Sequence, residues 1–231
     1  MTVFDAAFYS ADAGFLGEQR RLYRKKAQGI YRQFAKPIFD TLLALALLPL
    51  LVPVIAVLWL MVRLEGGPGF FGHRRIGKNG RVFRCWKIRT MVPNAEQKLQ
   101  QYLASNPAAR AEWERDHKLT NDPRITRLGR FLRETSLDEL PQIWNVLTGE
   151  MSFVGPRPVV RAEMTKYGMH RTAYLLMKPG ITGLWQVSGR NDVTYDERVE
   201  MDVRYLCEQS FATDSRLLLL TAKTVLDRTG R

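Results

Sequence analysis

The sequence predicts a mainly helical α+β protein, in which a proline-broken, re-entrant membrane helix precedes a compact cytosolic domain with a small β-hairpin and interfacial amphipathic helices. An uncharged run over Thr41–Val62, strand-like residues around an Asn-Gly turn, and several amphipathic segments support this prediction. We expect three regions: a basic N-terminal arm over 1–35, the membrane segment over 36–62, and the cytosolic domain over 63–231.

The apolar run is long enough to cross a bilayer, since 22 helical residues would extend about 33 Å. Pro49 and Pro53 interrupt it, because each lacks the N–H that a carbonyl four residues earlier needs at membrane depth. Six Lys and Arg residues lie within twenty positions before the run and five within twenty after it, so both flanks favour the cytoplasmic face. A hairpin within one leaflet satisfies both constraints.

Two other interpretations of the run stay open. One is an ordinary membrane span kinked by proline. The other is a cleaved signal peptide, which is disfavoured because the run starts about forty residues into the chain and no A-x-A site follows it.

The formal net charge of +12 indicates an anionic partner, either lipid headgroups, nucleic acid or a phosphate-bearing substrate. Composition does not choose among the three. Cys85 and Cys207 lie far apart in no metal-type spacing and are expected to be reduced thiols in a cytosolic compartment. The three histidines are scattered, which argues against a His-rich metal site.

The rest of the chain follows local signals. Residues 1–30 show no sustained period and suit a loosely ordered or surface-lying arm, whose basic cluster fits either an anionic leaflet or plain solvation. Asn79-Gly80 predicts the turn of a β-hairpin over residues 70–91. Helices are expected over 94–118, with an interruption at Pro107, and over 159–177, 194–209 and 214–227. Leu217–Leu220 make the last helix apolar enough for a membrane surface or for packing on the re-entrant segment.

The densest candidate chemistry lies in Ser136-Leu137-Asp138-Glu139. The spacing S-x-x-E matches a capping box, a purely structural interpretation that spacing alone favours. Pro141 would distort the helix beside the two carboxylates. Adjacent carboxylates at such a position also suit a divalent cation or a nucleophile that attacks phosphorus.

Several cations are candidates for binding phosphate. Arg157 lies between two prolines, which fits either a pre-ordered phosphate contact or a rigid surface turn. Lys87, at the end of the hairpin, fits a binding site or a solvated basic strand edge, and Arg190 ends a Gly-rich loop. Asp202 and Asp214 are possible polar site members, although a helix-surface residue and an N-cap are the plainer roles.

Several motifs occur together in one order: KPIFD from Lys36, WKIRTM from Trp86, TSLDELPQ, MSFVGPRP and PGITGLWQVSGR. In this order they resemble the bacterial sugar transferases, also called monotopic phosphoglycosyl transferases, over about residues 36–231. The resemblance implies that the cytosolic domain is catalytic. It further implies transfer of a sugar 1-phosphate from a UDP-sugar to undecaprenyl phosphate at the cytoplasmic face of the bacterial inner membrane.

Residue roles follow from the resemblance position by position. Asp138 matches the nucleophile and Glu139 its partner carboxylate, with Mg²⁺ bound at this pair. Pro53 matches the break of the re-entrant helix, whereas Pro49 has no match in the family pattern. The remaining matches are cations around the phosphates and acidic positions in the last helices: Lys87, Arg133, Arg157, Arg190, Asp202 and Asp214.

The implied reaction has two steps, through a covalent aspartyl phosphosugar and with release of UMP. The motif GLWQVSGR is more similar to hexose-transferring relatives, for glucose or galactose, and the chain is expected to be the compact form that starts exopolysaccharide or other glycan assembly. Inner-membrane lipids are expected to contact the protein, and a homodimer is reasonable.

Three other functions remain to be weighed. The net charge suits a membrane-tethered nucleic-acid-binding protein, although we find no stacking platform or reading helix and expect no nucleic-acid partner. A non-catalytic membrane scaffold would use Asp138 and Glu139 only as a cap. A metal-dependent diphosphate hydrolase would put water in the place of the lipid acceptor.

Overall fold

A computed structural model describes residues 17–116, 118–188 and 193–226. The described residues are mainly helical, as the sequence predicts, and they form two small two-stranded sheets. Short 3₁₀ segments cover Lys78–Gly80, Leu137–Glu139 and Arg161–His170. In chain order the α-helices are α1 (17–27), α2 (Lys36–Leu64), α3 (Ala95–Ser105), α4 (Pro107–Asp116), α5 (Arg127–Glu134), α6 (Gln142–Leu147), α7 (Arg171–Leu175), α8 (Leu184–Ser188), α9 (Tyr195–Glu208) and α10 (Phe211–Leu226).

The predicted hairpin is confirmed. Strands β1 (Phe70–Ile76) and β2 (Val82–Ile88) pair antiparallel. Asn79 and Gly80 both have positive φ, at 59° and 77°, which is the conformation that an Asn-Gly turn favours. The register places His73 opposite Cys85 and Phe71 opposite Lys87. Since side chains alternate along a strand, His73 and Lys87 share one face of the hairpin.

The second sheet was not predicted. Strands β3 (Ser152–Val154) and β4 (Gly180–Thr182) pair in parallel and are almost wholly buried. Each has only three residues, too few for an alternating pattern to be visible in the sequence.

The apolar run lies within α2, a single continuous helix that contains both Pro49 and Pro53. The structure therefore does not show the predicted break as an interruption of the helix. By length and composition, the helical stretch Tyr31–Leu64, which adds a π-helical turn at Tyr31–Ala35, could cross a membrane. The re-entrant path stays a prediction.

Both ends of α2 contact the same body of the protein. At the start, the Lys36 Nζ lies 2.5 Å from Asp214 Oδ2 in α10. At the end, the Arg89 guanidinium donates to the Val62 carbonyl at 3.0 Å. Between these contacts α2 presents one buried face to the domain and one exposed apolar face, which includes Leu42, Leu45, Leu50, Val57 and Leu60.

The described part of the N-terminal region is helical, although its sequence shows no sustained period. Tyr23 of α1 is buried, and its hydroxyl lies 2.8 Å from His170 Nδ1. The basic side chains of α1, such as Arg20 and Arg24, are exposed. Of the two expectations for the arm, the loosely ordered one is wrong for 17–27, and the surface-lying one fits, because Tyr23 packs this helix onto the domain while its basic side chains stay exposed.

The helices after the hairpin agree with the sequence prediction only in part, because α5 and α8 were not predicted. The interruption at Pro107 separates α3 from α4, and α9 and α10 match the last two predicted helices within three residues. The predicted helix over 159–177 is instead a 3₁₀ segment with a kink at Gly168, followed by the short α7. The main core forms where α2, the hairpin, β3, α6, α9 and α10 meet.

Candidate active site

The predicted capping box is not formed. Ser136 has a left-handed backbone (φ 57°), and its side chain makes no cap hydrogen bond. The Ser136 N–H donates instead to the Arg133 carbonyl at 3.2 Å. A positive φ is uncommon for a residue other than glycine and often marks a functional turn. The purely structural interpretation of Asp138 and Glu139 as a cap is therefore wrong.

Asp138 and Glu139 lie on a tight 3₁₀ turn between α5 and α6. The Leu140 N–H donates to the Leu137 carbonyl at 3.3 Å, and α6 starts only after Pro141. Pro141 thus distorts the backbone beside the carboxylates, as predicted. Asp138 is 7% exposed, whereas Glu139 is half-buried.

Lys87 faces both carboxylates. Its Nζ lies 2.6 Å from Glu139 Oε1 and 3.5 Å from Asp138 Oδ2. Strand β2 thus places the Lys87 ammonium beside the carboxylate turn. The interpretation of Lys87 as part of a solvated basic strand edge is therefore wrong. Arg89, which directly follows this strand, donates instead to the Val62 carbonyl near the end of α2.

The charges of the turn affect one another. Burial raises the pKa of Asp138 above its usual range; the Lys87 ammonium opposes this shift, and the Glu139 carboxylate adds to it. Burial alone would lower the pKa of Lys87, but Glu139 and Asp138 raise it overall, so that the ammonium stays charged. The turn therefore holds a buried carboxylate beside a permanent cation.

The loop that carries Arg157 is fixed by the small parallel sheet. The Gly155 N–H donates to the Thr182 carbonyl at 2.9 Å, and the Gly180 N–H donates to the Pro156 carbonyl at 2.8 Å. A Cβ atom on Gly180 would lie 2.1 Å from the Gly155 nitrogen, so this close approach needs glycine. A rigid loop thus presents the Arg157 side chain, which is exposed and has no hydrogen-bond or ion-pair partner among the described residues.

Two adjoining cavities meet at Glu139 and Arg157. The larger, of about 410 Å³, combines these residues and Arg133 with apolar side chains that include Leu51 of α2 and Trp185 of α8. The smaller, of about 40 Å³, has a more polar wall that includes His73, Arg75, Lys87 and Gln142. The carboxylate turn therefore borders an amphipathic cleft on one side and a small polar pocket on the other.

The structure brings three of the predicted cations together around the two carboxylates of this turn. Lys87 contacts both carboxylates, and Arg157 and Arg133 line the larger cavity beside Glu139. The Arg133 Nε also donates to Thr90 Oγ1 at 2.9 Å. Arg190 lies outside the described residues.

Asp202 and Asp214 lie elsewhere in the packed interior. Asp202 is 2% exposed and accepts a 2.6 Å hydrogen bond from the Tyr167 hydroxyl, and burial raises its pKa to about 7. Asp214 is fully buried and accepts hydrogen bonds from Lys36, Tyr31 and Tyr205. The plainer expectations of a helix-surface residue and an N-cap are therefore wrong, and neither residue lines the two cavities.

Sequence reasoning missed His73 and Gln142, which line the smaller pocket. The register set by the Asn79-Gly80 turn could have found His73, because that register places it on the face of Lys87. Gln142 follows Pro141 in the same motif as the carboxylates, but nothing in a single sequence shows that its side chain is buried.

Asp138 and Glu139 are suitable protein ligands for a Mg²⁺ ion. Mg²⁺ is commonly held by one or two carboxylates together with substrate phosphates. Glu139 lines both cavities, where such phosphates could reach it. Within the described ranges no group of three or more His, Cys, Asp or Glu side chains is arranged to hold a metal by itself.

Residues 31–228 match the family model described as bacterial sugar transferase. An undecaprenyl-phosphate galactose phosphotransferase from Salmonella typhimurium is 46% identical over 96% of this chain and 47% of its own length. The exopolysaccharide production protein ExoY from Sinorhizobium fredii is 47% identical over 83% of this chain and 84% of its own.

A third relative is more distant. The UDP-glucose:undecaprenyl-phosphate glucose-1-phosphate transferase of Escherichia coli is 37% identical over 87% of this chain and 42% of its own length. This chain thus spans about half the length of the first and third relatives.

Proposed function

This chain belongs to the bacterial sugar transferase family, and we propose that it transfers a sugar 1-phosphate from a UDP-sugar to undecaprenyl phosphate with release of UMP. The names of its relatives support this donor and acceptor, and they include both galactose and glucose transferases. The observation that carries the proposal is the buried Asp138 on a strained turn, held beside Lys87 and not used as a helix cap. The proposed role is the first membrane step of exopolysaccharide or other glycan assembly.

In the first step, an Asp138 carboxylate oxygen attacks the β-phosphorus of the UDP-sugar in line with the bond to UMP. The new bond joins Asp138 Oδ to phosphorus while the bond from phosphorus to the bridging oxygen breaks. That oxygen leaves with its electron pair as part of UMP, and the sugar phosphate stays on Asp138. No proton has to move for the atoms and charges to balance.

In the second step, an oxygen of the lipid phosphate attacks the same phosphorus. The bond to Asp138 breaks and returns the carboxylate, and the product is a polyprenyl diphosphate sugar. Because each attack is in line, the lipid phosphate enters from the side that UMP has left. The carboxylate is regenerated and ready for another donor.

The cations of the site stabilise the negative charge that develops on the diphosphate during these steps. Lys87 stands beside the attacking carboxylate, and Arg157 and Arg133 line the cleft where the diphosphate would lie. Mg²⁺, if held by Asp138 and Glu139, would supply further positive charge to the diphosphate.

We further propose that α2 is re-entrant and holds the domain at the cytoplasmic face of the bacterial inner membrane. Contacts at both ends of α2 with one body, basic flanks on both sides, and an exposed apolar face between them support this arrangement. The apolar Leu51 in the larger cavity would then lie where a lipid phosphate meets a soluble nucleotide sugar. A homodimer and a preference for glucose or galactose are further parts of the proposal.

UMP release by the detergent-solubilised protein tests this function. The assay contains Mg²⁺, undecaprenyl phosphate and a panel of UDP-sugars, with Asp138→Asn and the exposed-site variant Arg81→Ala alongside. We expect sustained, lipid-dependent release from UDP-glucose or UDP-galactose by the parent and by Arg81→Ala, and none from Asp138→Asn. Release by Asp138→Asn above background, or silence of the folded parent across the panel, would contradict the proposal.

A further inference from the structure

Helix α1 carries a dense cluster of cations with no acidic residue among them: Arg20, Arg21, Arg24, Lys25 and Lys26. All five side chains are exposed, and within the described ranges none of them forms an ion pair or a hydrogen bond. Like charges four positions apart on a helix, such as Arg21 and Lys25, repel each other. The helix therefore presents uncompensated positive charge that an anionic partner would stabilise.

The packing of α1 decides which of its sides faces outward. Tyr23 is buried and belongs to the main core, so its side of the helix faces the domain. With about 100° between successive residues, the side away from Tyr23 is basic and consists of Arg21, Arg24 and Lys25, which we call the basic face of α1. Leu22 borders this face and is 56% exposed.

Exposed apolar side chains follow α1 directly along the chain. Only residues 28 and 29 separate α1 from the helical stretch that leads into α2. On that stretch Ile30 is 80% exposed, and Phe34 and Ile38 are each 60% exposed. Their four-residue spacing places them on one side of the stretch. The exposed apolar surface thus begins before the uncharged run, which starts at Thr41, and adjoins the cationic helix.

We propose that α1 binds the anionic phospholipid headgroups of the membrane that α2 enters. The basic face of α1 then contacts the headgroups, and Ile30, Phe34 and Ile38 lie at the boundary with the acyl chains. A bilayer offers negative charge directly beside apolar chains, which matches both surfaces at once. A nucleic acid would pair with the cations but would leave the apolar side chains in water.

The headgroup contact is an addition to the proposed sugar transfer, because α1 precedes residues 31–228, which the family model matches. It rests on one part of the proposed function, the membrane placement of α2. Each Lys or Arg beside an anionic leaflet strengthens binding about fivefold, so neutralising the three cations of the basic face should weaken it roughly 100-fold. The contact makes the membrane affinity of α1 depend on the anionic lipid content and on salt.

Amide hydrogen exchange of α1 tests this contact in the full chain. The protein is placed in nanodiscs of phosphatidylcholine alone and in nanodiscs of an equal mixture with phosphatidylglycerol. The test variant neutralises the basic face of α1: Arg21→Gln, Arg24→Gln and Lys25→Gln. The matched control neutralises three exposed cations of the hairpin and its turn: Arg74→Gln, Lys78→Gln and Arg81→Gln. Glutamine is a good helix former, so α1 should be helical in every protein.

Phosphatidylglycerol should protect α1 in the parent and in the control. We expect its amides to exchange about tenfold more slowly or less in the mixed nanodiscs than in phosphatidylcholine. About 1 M NaCl, which shortens the screening length to about 3 Å, should abolish this difference. The test variant should exchange at one rate in both lipids, and in phosphatidylcholine that rate should equal the parent's, which shows that α1 is intact.

Other results would overturn the inference. They are equal exchange of the parent's α1 in both lipids, or the same slowing in the test variant. Slowing by a DNA duplex but not by phosphatidylglycerol would assign α1 to nucleic acid instead. A parent that enters neither kind of nanodisc would reject the placement of α2 and this inference with it. Slowing by phosphatidylglycerol in a parent that releases no UMP would support this inference and reject the proposed sugar transfer.

Discussion

The Lys87 ammonium donates to Glu139 Oε1 at 2.6 Å, and this contact takes the place of the helix cap that the sequence spacing suggests. A capping glutamate would bond the backbone of Ser136, but Ser136 is left-handed and its N–H bonds the Arg133 carbonyl. Lys87 of the hairpin therefore forms an ion cluster with the two carboxylates of the turn. Asp138 Oδ2 lies 3.5 Å from the same ammonium.

Removing the charge of Lys87 should shift the pH dependence of the reaction. The nucleophile must be ionised, and Lys87 holds the pKa of Asp138 lower than burial alone would set it. In Lys87→Met that pKa rises, so the acid limb of kcat for UMP release should move to higher pH. Lys87→Arg keeps the positive charge, so it should shift the acid limb of kcat less than Lys87→Met does. An acid limb at the same pH in all three proteins would contradict this electrostatic role.

Arg157 should bind the donor phosphates through its guanidinium charge, and the proline on each side of it should hold it in position. Loss of a charge-assisted contact costs roughly 1.5–3 kcal/mol, so Arg157→Ala should lower kcat/KM for the UDP-sugar roughly 10- to 150-fold. Arg81→Ala, an exposed arginine after the hairpin turn, should leave it unchanged. If the two variants have the same kcat/KM, Arg157 does not bind the phosphates of the donor.

The local signals in the sequence were sufficient for the hairpin, for the interruption at Pro107 and for the long apolar helix, because each depends on residues close in the chain. The tertiary contacts were not visible in this way. Asp214 bonds Lys36 across 178 residues, and β3 and β4 are too short to show a period. The position of Asp138 beside Lys87 could be expected only through the resemblance, since spacing alone favoured a cap.

The ion pair between Lys36 and Asp214 should anchor the start of α2. Lys36→Met leaves the buried Asp214 carboxylate with only tyrosine hydroxyls among its described side-chain partners, which should cost about 3–5 kcal/mol of unfolding free energy. The added change Asp214→Asn should restore part of this loss, because an amide is less costly to bury than a charge. Chemical unfolding in one detergent measures both.

The exposed Lys25→Met is a suitable control for the anchor. If Lys36→Met loses no more stability than Lys25→Met, the buried pair does not hold α2 to the domain.

Asp202 should make stability depend on pH. Burial raises its pKa from 3.8 to about 7, so its favourable contribution is complete below about pH 4 and is lost as pH rises through 7. Asp202→Asn keeps an acceptor for Tyr167 and carries no charge, so it should be more stable than the parent at pH 8 by a few kcal/mol. Unfolding curves at pH 5 and pH 8 test this; an advantage of the same size at both would contradict it.

The central claim is that Asp138 carries the sugar phosphate between donor and acceptor. It is tested most directly by incubating the protein with Mg²⁺ and the active UDP-sugar, without lipid, and analysing its peptides by mass spectrometry. We predict one equivalent of UMP and a sugar-phosphate adduct on the peptide that contains Asp138, lost when undecaprenyl phosphate is added. Full lipid-dependent turnover with no such adduct at any time, or an adduct on Asp138→Asn, would contradict the account.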